Sequence, residues 1–189
     1  MKNMFRSIIK NSIAVKEQAL EKNIDAMEKA AQACVRCLKN GGTLFFFGNG
    51  GSAADSQHVA AEFIGRFQKE RPALAAIALT TDTSVLTSLA NDYSYDIVFS
   101  RQLEALGKKG DVAFGISTSG KSRNVIKAFE AAKLKGMTTI AFTGGDGGPV
   151  AAMADIRVIV PSTITARIQE SHSTFFHAIC EVVENAFVQ

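Results

Sequence analysis

Short apolar runs alternate with helical stretches along most of this chain, and this alternation restricts the fold more than any other feature. Five of the runs are predicted to be strands, over residues 43–47, 74–79, 111–116, 138–142 and 156–160. Their residues are apolar on both faces, which is typical of a parallel sheet covered by helices on both sides. We therefore predict an α/β fold, a three-layer sandwich around a five-stranded parallel sheet. In such sheets, ligands bind outside the carboxyl ends of the strands.

The segments between these runs show the apolar spacing of helices. We predict helices over residues 52–67, around 84–90 and 97–106, and over 122–134 and 166–187, with a glycine-rich turn at 144–148. Residues 3–39 contain neither glycine nor proline, and their apolar residues recur at helical spacing. This first segment is predicted to form two helices that end at Gly41 and Gly42.

One domain with an N-terminal extension is the simplest organisation for this chain. We divide it into a helical extension at residues 1–40 and a domain at residues 41–189. The domain is long enough to bury a full hydrophobic core. The extension cannot bury its apolar face alone, so we expect it to pack against partner subunits.

Composition argues against several classes of protein. A chain with 47% hydrophobic and 21% charged residues is an ordinary globular protein. Its net charge of +3 is spread along the chain, which suits an anionic substrate but does not indicate nucleic-acid binding. Residues 1–10 lack the pattern of a secretory signal, and no apolar run approaches the roughly 20 residues of a membrane span. We therefore expect a cytoplasmic protein.

Cys34 and Cys37 form a C-x-x-C pattern that has two interpretations. It is either a redox pair or half of a zinc site, or it is two small core residues on one face of a helix. No second pair exists, and the flanking residues are typical of a helix, so we favour the core interpretation. Reduced thiols also fit a cytoplasmic location.

The clearest candidate site follows the first predicted strand. Residues 44–55 indicate a strand, a tight glycine turn and the start of a helix. Such a turn points backbone N–H groups at whatever lies above it, which favours an anion and most often a phosphate. His58 and Glu62 follow, about 40° apart around the helix axis, so they share a face. Asp55 either orients the imidazole or simply favours the helix start. The combination indicates acid–base or metal-assisted chemistry on a phosphorylated small molecule.

A second loop of the phosphate-binding type, residues 115–122, follows the third predicted strand and opens a helix. It matches the pattern G-x-x-x-x-G-K-S, so a nucleotide hydrolase is a competing hypothesis. Such enzymes need a strand that ends in an aspartate for magnesium, whereas the run 156–160 leads into Pro161. We favour a loop that holds a sugar phosphate through its hydroxyl groups, without a metal. These hydroxyls belong to Ser117, Thr118, Ser119 and Ser122.

The last predicted helix carries two further candidates. Gln169 and His177 lie about 80° apart around the helix axis, so both can face one site. His172 lies about 140° from His177 and is treated as structural. Together with His58 and Glu62, these residues form a His, Glu, Gln and His set. Imidazole and carboxylate both suit zinc, while an amide oxygen is a weaker ligand.

Several motifs occur in a fixed order along nearly the whole chain. They are residues 48–58 with Glu62, Arg71-Pro72, residues 78–82, Asn91-Asp92, residues 117–120 with Ser122, and residues 167–170. In this order and spacing they resemble the sugar isomerase (SIS) domain family, and most closely its heptose-phosphate isomerases. The resemblance identifies the nucleotide-binding pattern as a coincidence of a loop that grips a phosphate.

The resemblance implies a flavodoxin-like SIS fold and a homotetramer with active sites at subunit interfaces. It also implies one zinc ion per subunit, held by His58, Glu62, Gln169 and His177. The substrate-binding residues that it implies are Asn49, Gly50, Gly51, Ser52, Glu62, Asn91, Asp92, Ser117, Thr118, Ser119, Ser122 and Gln169. Some relatives carry an acidic residue just before the Arg-Ile-Gln of the last helix. This chain has Ala166 there, so the role of that acid does not carry over.

The implied reaction interconverts a ketose phosphate and an aldose phosphate through an enediol. It converts sedoheptulose 7-phosphate into D-glycero-D-manno-heptose 7-phosphate, the first step toward ADP-heptose for a lipopolysaccharide core. Glu62 is the candidate base and His177 the candidate acid, and zinc could polarise the carbonyl. A metal-bound carboxylate is a poorer base, so either the metal contacts are loose or ligation and proton transfer alternate. Asn91 and Asp92 either bind sugar hydroxyls or form a turn.

Two alternatives come from other classes of protein. Some SIS proteins are non-catalytic tetramers that bind a protein partner such as the bacterial replication initiator. Those scaffolds lack residues that match Glu62 and His177, and both are present here. Other SIS proteins are regulators that sense a sugar phosphate, but they carry a DNA-binding domain, for which 189 residues leave no room. We therefore favour the enzyme.

Overall fold

A five-stranded, all-parallel sheet forms the centre of the protein, as a computed structural model describes it for residues 1–188. The strands are β1 (Leu44–Gly48), β2 (Ala76–Ala78), β3 (Val112–Ser117), β4 (Thr138–Gly144) and β5 (Ile156–Val160). Their order across the sheet is β2-β1-β3-β4-β5, the flavodoxin-like order, so the predicted fold class is confirmed. The order reverses between β1 and β3, and ligands bind at such a switch point.

Helices cover both faces of this sheet. They are α1 (Lys2–Lys39), α2 (Gly51–Ile64), α3 (Thr83–Asp92), α4 (Ser100–Leu106), α5 (Arg123–Leu134), α6 (Gly148–Met153) and α7 (Thr165–Asn185). A short 3₁₀ turn at Tyr95–Ile97 precedes α4, so the helix predicted to begin at residue 97 begins three residues later. Strand β2 is only three residues long, half of the run predicted at 74–79.

The first segment forms one helix, and the prediction of two helices was wrong. Helix α1 is continuous over 38 residues. Glycine and proline are the residues that interrupt helices, and residues 2–39 contain neither. The first half of α1 is exposed and the second half packs on the sheet.

The glycine-rich segment predicted as a turn at residues 144–148 also contains the start of a helix. Strand β4 runs through Gly144, and Gly147 has a positive φ of 87° that ends the turn. Helix α6 begins at the next residue, with proline in its first turn. Proline is favourable there because its missing N–H would have no partner within the helix. The sequence signal for this helix is therefore a proline that follows the glycines.

Two apolar layers hold the helices on the sheet. On one face α1, α2 and α7 pack against alternate strand residues, including Phe46, Phe114 and Phe142. The rings of Phe46 and Phe114 stack at 4.6 Å, and Phe142 stacks on Phe176 of α7 at 4.1 Å. On the other face α4, α5 and α6 cover the alternate set. Stacked aromatic pairs add about 0.5–1.5 kcal/mol beyond the area they bury, and the ring contact with Phe176 anchors α7 against the sheet.

The C-x-x-C cysteines lie inside the first of these layers. Cys34 and Cys37 of α1 are buried free thiols, 0% and 4% exposed. Burial raises the pKa of Cys37 to about 11, so this side chain stays a neutral thiol at pH 7. The interpretation of the pair as core residues is confirmed.

Within residues 1–188, no helix has both the length and the apolar content to cross a lipid bilayer.

Candidate active site

The loops after β1 and β3 meet above the switch point of the sheet. β1 and β3 are neighbours, paired from Leu44 with Val112 to Gly48 with Ile116. Asn49 and Asn124 join the two loops with a reciprocal pair of amide hydrogen bonds of 2.8 and 3.0 Å. The two predicted phosphate-binding loops therefore form one surface.

The glycine turn after β1 requires glycine at two positions. Gly50 has φ +58° and ψ −120°, a conformation that other residues avoid. Gly51 lies against Gln169 of α7, where a Cβ atom would come within 3.1 Å of the Gln169 side-chain Cδ. Glycine at residue 51 therefore lets Gln169 approach the backbone of the turn. Neither α2 nor α5 has a side chain capping its N-terminus, which leaves N–H groups of both first turns for an anion.

Three reactive side chains converge one helical turn further along α2. The Nε2 atom of His58 lies 3.2 Å from the Glu62 Oε1 atom and 3.5 Å from the Nε2 atom of His177. The two imidazole rings meet edge to face, with centroids 5.0 Å apart. The side chain of His58 is 49% exposed and that of Glu62 is 23% exposed. One carboxylate and two imidazoles, all groups that can accept or donate a proton, therefore lie together at this point.

Two further contacts support this cluster. Ser173 of α7 donates a hydrogen bond of 3.1 Å to Asp55, three residues before His58. Burial raises the pKa of Asp55, although that hydrogen bond and the neighbouring imidazoles oppose the shift. The ring of Phe67 lies 5.5 Å from the His177 ring on the other side. The Phe67 ring therefore restricts the orientation of the His177 imidazole.

The serine-rich loop after β3 has its hydroxyls in two environments. Ser117 and Ser122 share a hydrogen bond of 2.9 Å at the base of the loop. Thr118 and Ser119 border an open cleft of about 850 Å³ that continues between the end of β4 and the start of α7. The residues lining this cleft include Lys121 and Asp146, but not Glu62 or His177. Ser52, at the start of α2, is buried beside the glycine turn.

Asn91 and Asp92 are the predicted site residues least connected to the rest. They are exposed in the last turn of α3, and the Asn91 amide donates to the Asp92 carboxylate at 2.9 Å. Nearby, Tyr95 reaches the site, because its hydroxyl donates to the Asn49 Oδ1 atom at 3.1 Å. In the part of the chain that the structure describes, the segment therefore joins the glycine turn through Tyr95.

Sequence reasoning missed four side chains that shape the site: Tyr95, Asn124, Phe67 and Ser173. Asn124 follows the serine-rich loop by two residues, and its amide could have been proposed to complete that loop. Ser173 lies four residues after Gln169 and four before His177, on the same helical face. Nothing in the local pattern points to Tyr95 or Phe67, because their partners are 46 or more residues away.

The metal-ligand types are present, but their arrangement is incomplete. No group of three or more His, Cys, Asp or Glu side chains among residues 1–188 is arranged to hold a metal ion. The two distances from the His58 Nε2 atom, 3.2 and 3.5 Å, are close to the ~3.3 Å that separates two ligands on a tetrahedral zinc ion. Gln169, the fourth residue of the predicted set, lies beside Gly51 of the glycine turn.

Comparisons with known proteins agree with this fold and this site. The sequence profile of the SIS domain matches residues 8–144. A phosphoheptose isomerase of Sulfurimonas denitrificans is 50% identical over 97% of this chain and 95% of its own length. A phosphoheptose isomerase of Thermodesulfovibrio yellowstonii is 49% identical over 98% of this chain and 92% of its own length. The structure of a phosphoheptose isomerase from Neisseria gonorrhoeae superposes with a TM-score of 0.92, at 46% identity over 97% of this chain and 98% of that one.

These observations define the class of protein: an α/β protein with a parallel sheet and two predicted anion-binding loops at the switch point of the sheet. The chain belongs to the SIS domain family, and within it to the phosphoheptose isomerases. The expected resemblance is confirmed over nearly the whole chain, including the α1 segment.

Proposed function

We propose that this protein is an aldose–ketose isomerase that interconverts sedoheptulose 7-phosphate and D-glycero-D-manno-heptose 7-phosphate through an enediol. The observation that carries the proposal is the convergence of Glu62 and His177 beside an anion-binding turn. The relatives named phosphoheptose isomerase, at about half identity over the whole chain, support the same reaction.

Glu62 and His177 would divide the proton transfers between them. In the ketose-to-aldose direction, the Glu62 carboxylate removes the proton from C1 and returns it to C2. His177 donates a proton to the carbonyl oxygen as the enediol forms and removes one from the neighbouring hydroxyl as it collapses. Each positioned acid or base of this kind contributes about 10²- to 10⁴-fold to the rate.

The far end of the substrate would be held by the two loops. Backbone N–H groups of the uncapped helices α2 and α5, with the hydroxyls of Ser119 and Thr118, suit the phosphate. Gln169, which lies beside Gly51, and Asn49, which binds Asn124, would contact the sugar hydroxyls. Binding energy gained at the phosphate would orient the reacting carbons at the other end of the substrate and so raise the rate of isomerisation.

The test is NMR of sedoheptulose 7-phosphate incubated with the purified protein in D₂O. Appearance of the aldose phosphate, with deuterium at its C2 position, is expected because the transferred proton exchanges with solvent on the base. No conversion by a folded protein supplied with zinc would contradict the proposal. In that case the alternative to test is the non-catalytic tetramer, by looking for a protein partner.

We also propose one zinc ion per subunit, held by His58, Glu62, Gln169 and His177. Two observations support this site. The donor types suit zinc, and the His58–Glu62 and His58–His177 distances are close to the separation of two ligands on a tetrahedral zinc ion. Zinc bound there would polarise the substrate carbonyl and stabilise negative charge on the enediol oxygens.

Removal of zinc is expected to lower both activity and stability. If the ion is present at 100 times its Kd, its removal costs about 2.7 kcal/mol of unfolding free energy. Atomic emission should find one zinc per chain, and the melting temperature should fall with a chelator and recover with added zinc. The zinc proposal would be contradicted if the metal-free protein were fully active and the chelator did not change its melting temperature. The isomerase proposal would not be affected by that result.

A homotetramer with its sites at subunit interfaces is a further part of the proposal. The first half of α1 exposes large apolar side chains, with Phe5 at 64% and Ile9 at 58% exposed. Exposed apolar surface of this extent favours association. Light scattering should give a mass of four chains, and Ile9→Glu is expected to reduce it because the charge would be buried at the interface. A monomeric wild-type protein would exclude this assembly.

A cytoplasmic location is proposed on the ground that Cys34, Cys37 and Cys180 are all free thiols. The use of the product for a lipopolysaccharide core stays a prediction.

A further inference from the structure

A buried ion pair lies directly behind the acid–base cluster. Arg71 and Glu184 have side chains only 1% and 2% exposed, and the Arg71 Nε atom lies 3.4 Å from the Glu184 Oε1 atom. That separation is a charge contact rather than a hydrogen bond, since the Nε atom has no hydrogen-bond partner within the described residues. The remaining guanidinium nitrogens and both carboxylate oxygens are therefore free to bind the backbone around them.

Arg71 binds the end of the helix that carries Glu62. Its Nη2 atom donates to the backbone carbonyl of Glu62 at 2.7 Å, and its Nη1 atom donates to the carbonyls of Phe63 and Gly65 at 2.8 and 3.0 Å. Carbonyls in the last turn of a helix have no partner within the helix, and a cation there also interacts favourably with the helix dipole. The guanidinium thus fixes the last turn of α2, including the backbone of Glu62 itself.

Glu184 binds the segment that follows this helix. Its carboxylate accepts the backbone N–H groups of Phe67, Gln68 and Lys69 at 2.8, 2.8 and 2.9 Å. Burial alone would raise the pKa of Glu184, but these three donors and Arg71 outweigh it and lower the pKa. The carboxylate therefore stays ionised at pH 7 and orders the backbone at Phe67.

The same pair also reaches the second reactive side chain. Glu184 and His177 are seven residues apart on α7, within about 20° of each other around the helix axis. Phe67 bridges them, because its N–H binds Glu184 and its ring lies against His177. One ion pair thus contacts the backbone of Glu62 on one side and the residue packed on His177 on the other.

Stability does not explain why an ion pair is used here. A buried ion pair is often no more stabilising than apolar residues of the same volume. Guanidinium and carboxylate groups do, however, provide several donors and acceptors in a fixed geometry, which apolar side chains cannot. A group that must hold two backbone segments at a set distance gains from that geometry.

We infer that Arg71 and Glu184 are positioning residues for the isomerisation, and that they set the separation of the Glu62 carboxylate and the His177 imidazole. This inference rests on the proposed function. Neither residue is one of the proposed acid–base or ligand side chains, so the pair would act through the last turn of α2 and through Phe67.

Arg71→Lys and Glu184→Gln test the inference, because each keeps the size of the side chain and removes part of the geometry. Arg71→Lys retains the positive charge but loses the forked donors. Both variants are expected to lower kcat by about 10- to 100-fold, since misplacement of reacting groups by an ångström has an effect of that size. KM should stay within about twofold, because the phosphate-binding loops are untouched.

The matched controls make the same substitutions at exposed ion-pair or hydrogen-bonding positions. They are Arg101→Lys, from an exposed pair with Glu104, and Glu181→Gln, one turn before Glu184 on α7. Both should keep wild-type kcat and KM. Every protein is assayed well below its own melting temperature, so that loss of folded protein does not count as loss of kcat.

Histidine NMR gives a readout that needs no turnover. The chain has three histidines, and the ring protons of His177 report the position of the Phe67 ring. Arg71→Lys and Glu184→Gln should shift the His177 signals. The signals of His172, which is buried against Thr143 of β4, should not change. The two control variants should leave all three sets in place.

Wild-type kcat and unshifted His177 signals in variants with a lowered melting temperature would overturn the inference, because the pair would then only stabilise the fold. If Arg71→Lys and Glu184→Gln both fail to fold, Phe67→Leu decides, since it leaves the ion pair intact and removes the aromatic ring from His177. Reduced kcat with unchanged KM supports the inference, and wild-type kcat in Phe67→Leu overturns it. A wild-type protein that fails to turn over would instead contradict the proposed function, while the NMR shifts would still test the pair.

Discussion

Replacing Glu62 with glutamine is expected to lower kcat by about 10²- to 10⁴-fold, the usual contribution of a positioned general base. The amide has the same shape as the carboxylate but cannot accept a proton from carbon. The side chain lies at the surface of the site, with His58 as its hydrogen-bond partner, so its replacement should leave the core intact. The measurement is kcat in the NMR assay, with circular dichroism and light scattering to verify fold and assembly.

Ser119→Ala is the matched control, because it alters the phosphate end of the same site. Its hydroxyl is exposed and accepts the backbone N–H of Lys121 at 3.2 Å, so little structure depends on it. It should raise KM and leave kcat within a few-fold of wild type, the signature of a lost binding contact. Substantial turnover in Glu62→Gln would remove Glu62 from the role of base, and a large loss of kcat in Ser119→Ala would bring that serine into the chemistry.

The stability of the wild-type protein is expected to fall by about 3 kcal/mol between pH 6.5 and pH 4 because of His172 alone. This histidine is completely buried, and its Nε2 atom donates to the backbone carbonyl of Thr143 at 3.1 Å. Its Nδ1 atom has no partner within the described residues. Burial lowers the pKa of His172 from 6.5 to about 4, although the hydrogen bond to Thr143 opposes the shift.

The sign of the effect follows from which state binds the proton. Between pH 6.5 and 4 the unfolded chain protonates this histidine while the folded protein keeps it neutral, so the unfolding free energy decreases as the pH decreases. Well above pH 6.5 both states are neutral, so His172 no longer makes the unfolding free energy depend on pH.

Urea unfolding at several pH values between 7 and 4 measures this effect. His172→Gln retains a donor for the Thr143 carbonyl but cannot titrate, so its stability should change less with pH than that of the wild type. Carboxylates titrate in both proteins, and the difference between the two curves isolates the histidine. Parallel curves would show that the pKa of His172 is not lowered in the folded protein. Measurements with a chelator present remove any contribution of metal ligands.

The two loops and the strands that carry them were predictable because their signals are local. The alternation of apolar runs with helices predicted the parallel sheet, and strand β5 begins and ends where the sequence pattern placed it. The glycines at residues 50 and 51 indicated a turn, and the structure uses one for a positive φ and the other for the approach of Gln169.

The contacts that complete the site were not predictable from local patterns. Tyr95 reaches Asn49 over 46 residues, and Arg71 reaches Glu184 over 113. Helical spacing over residues 3–39 did not show that one helix continues from an exposed first half to a second half that packs on the sheet. Spacing within one element cannot show what packs on it.

The sequence by itself determined the strand–loop–helix order, the glycine-rich and serine-rich turns and the shared face of His58 and Glu62. Backbone conformation and helical periodicity are set by neighbouring residues, which is why these features could be predicted. Only the tertiary structure decided that His177 meets His58 across 119 residues and that Arg71 and Glu184 lie behind them. Those meetings depend on how α7 packs over α2 and the sheet, which is set by the sum of the core contacts and not by any one segment.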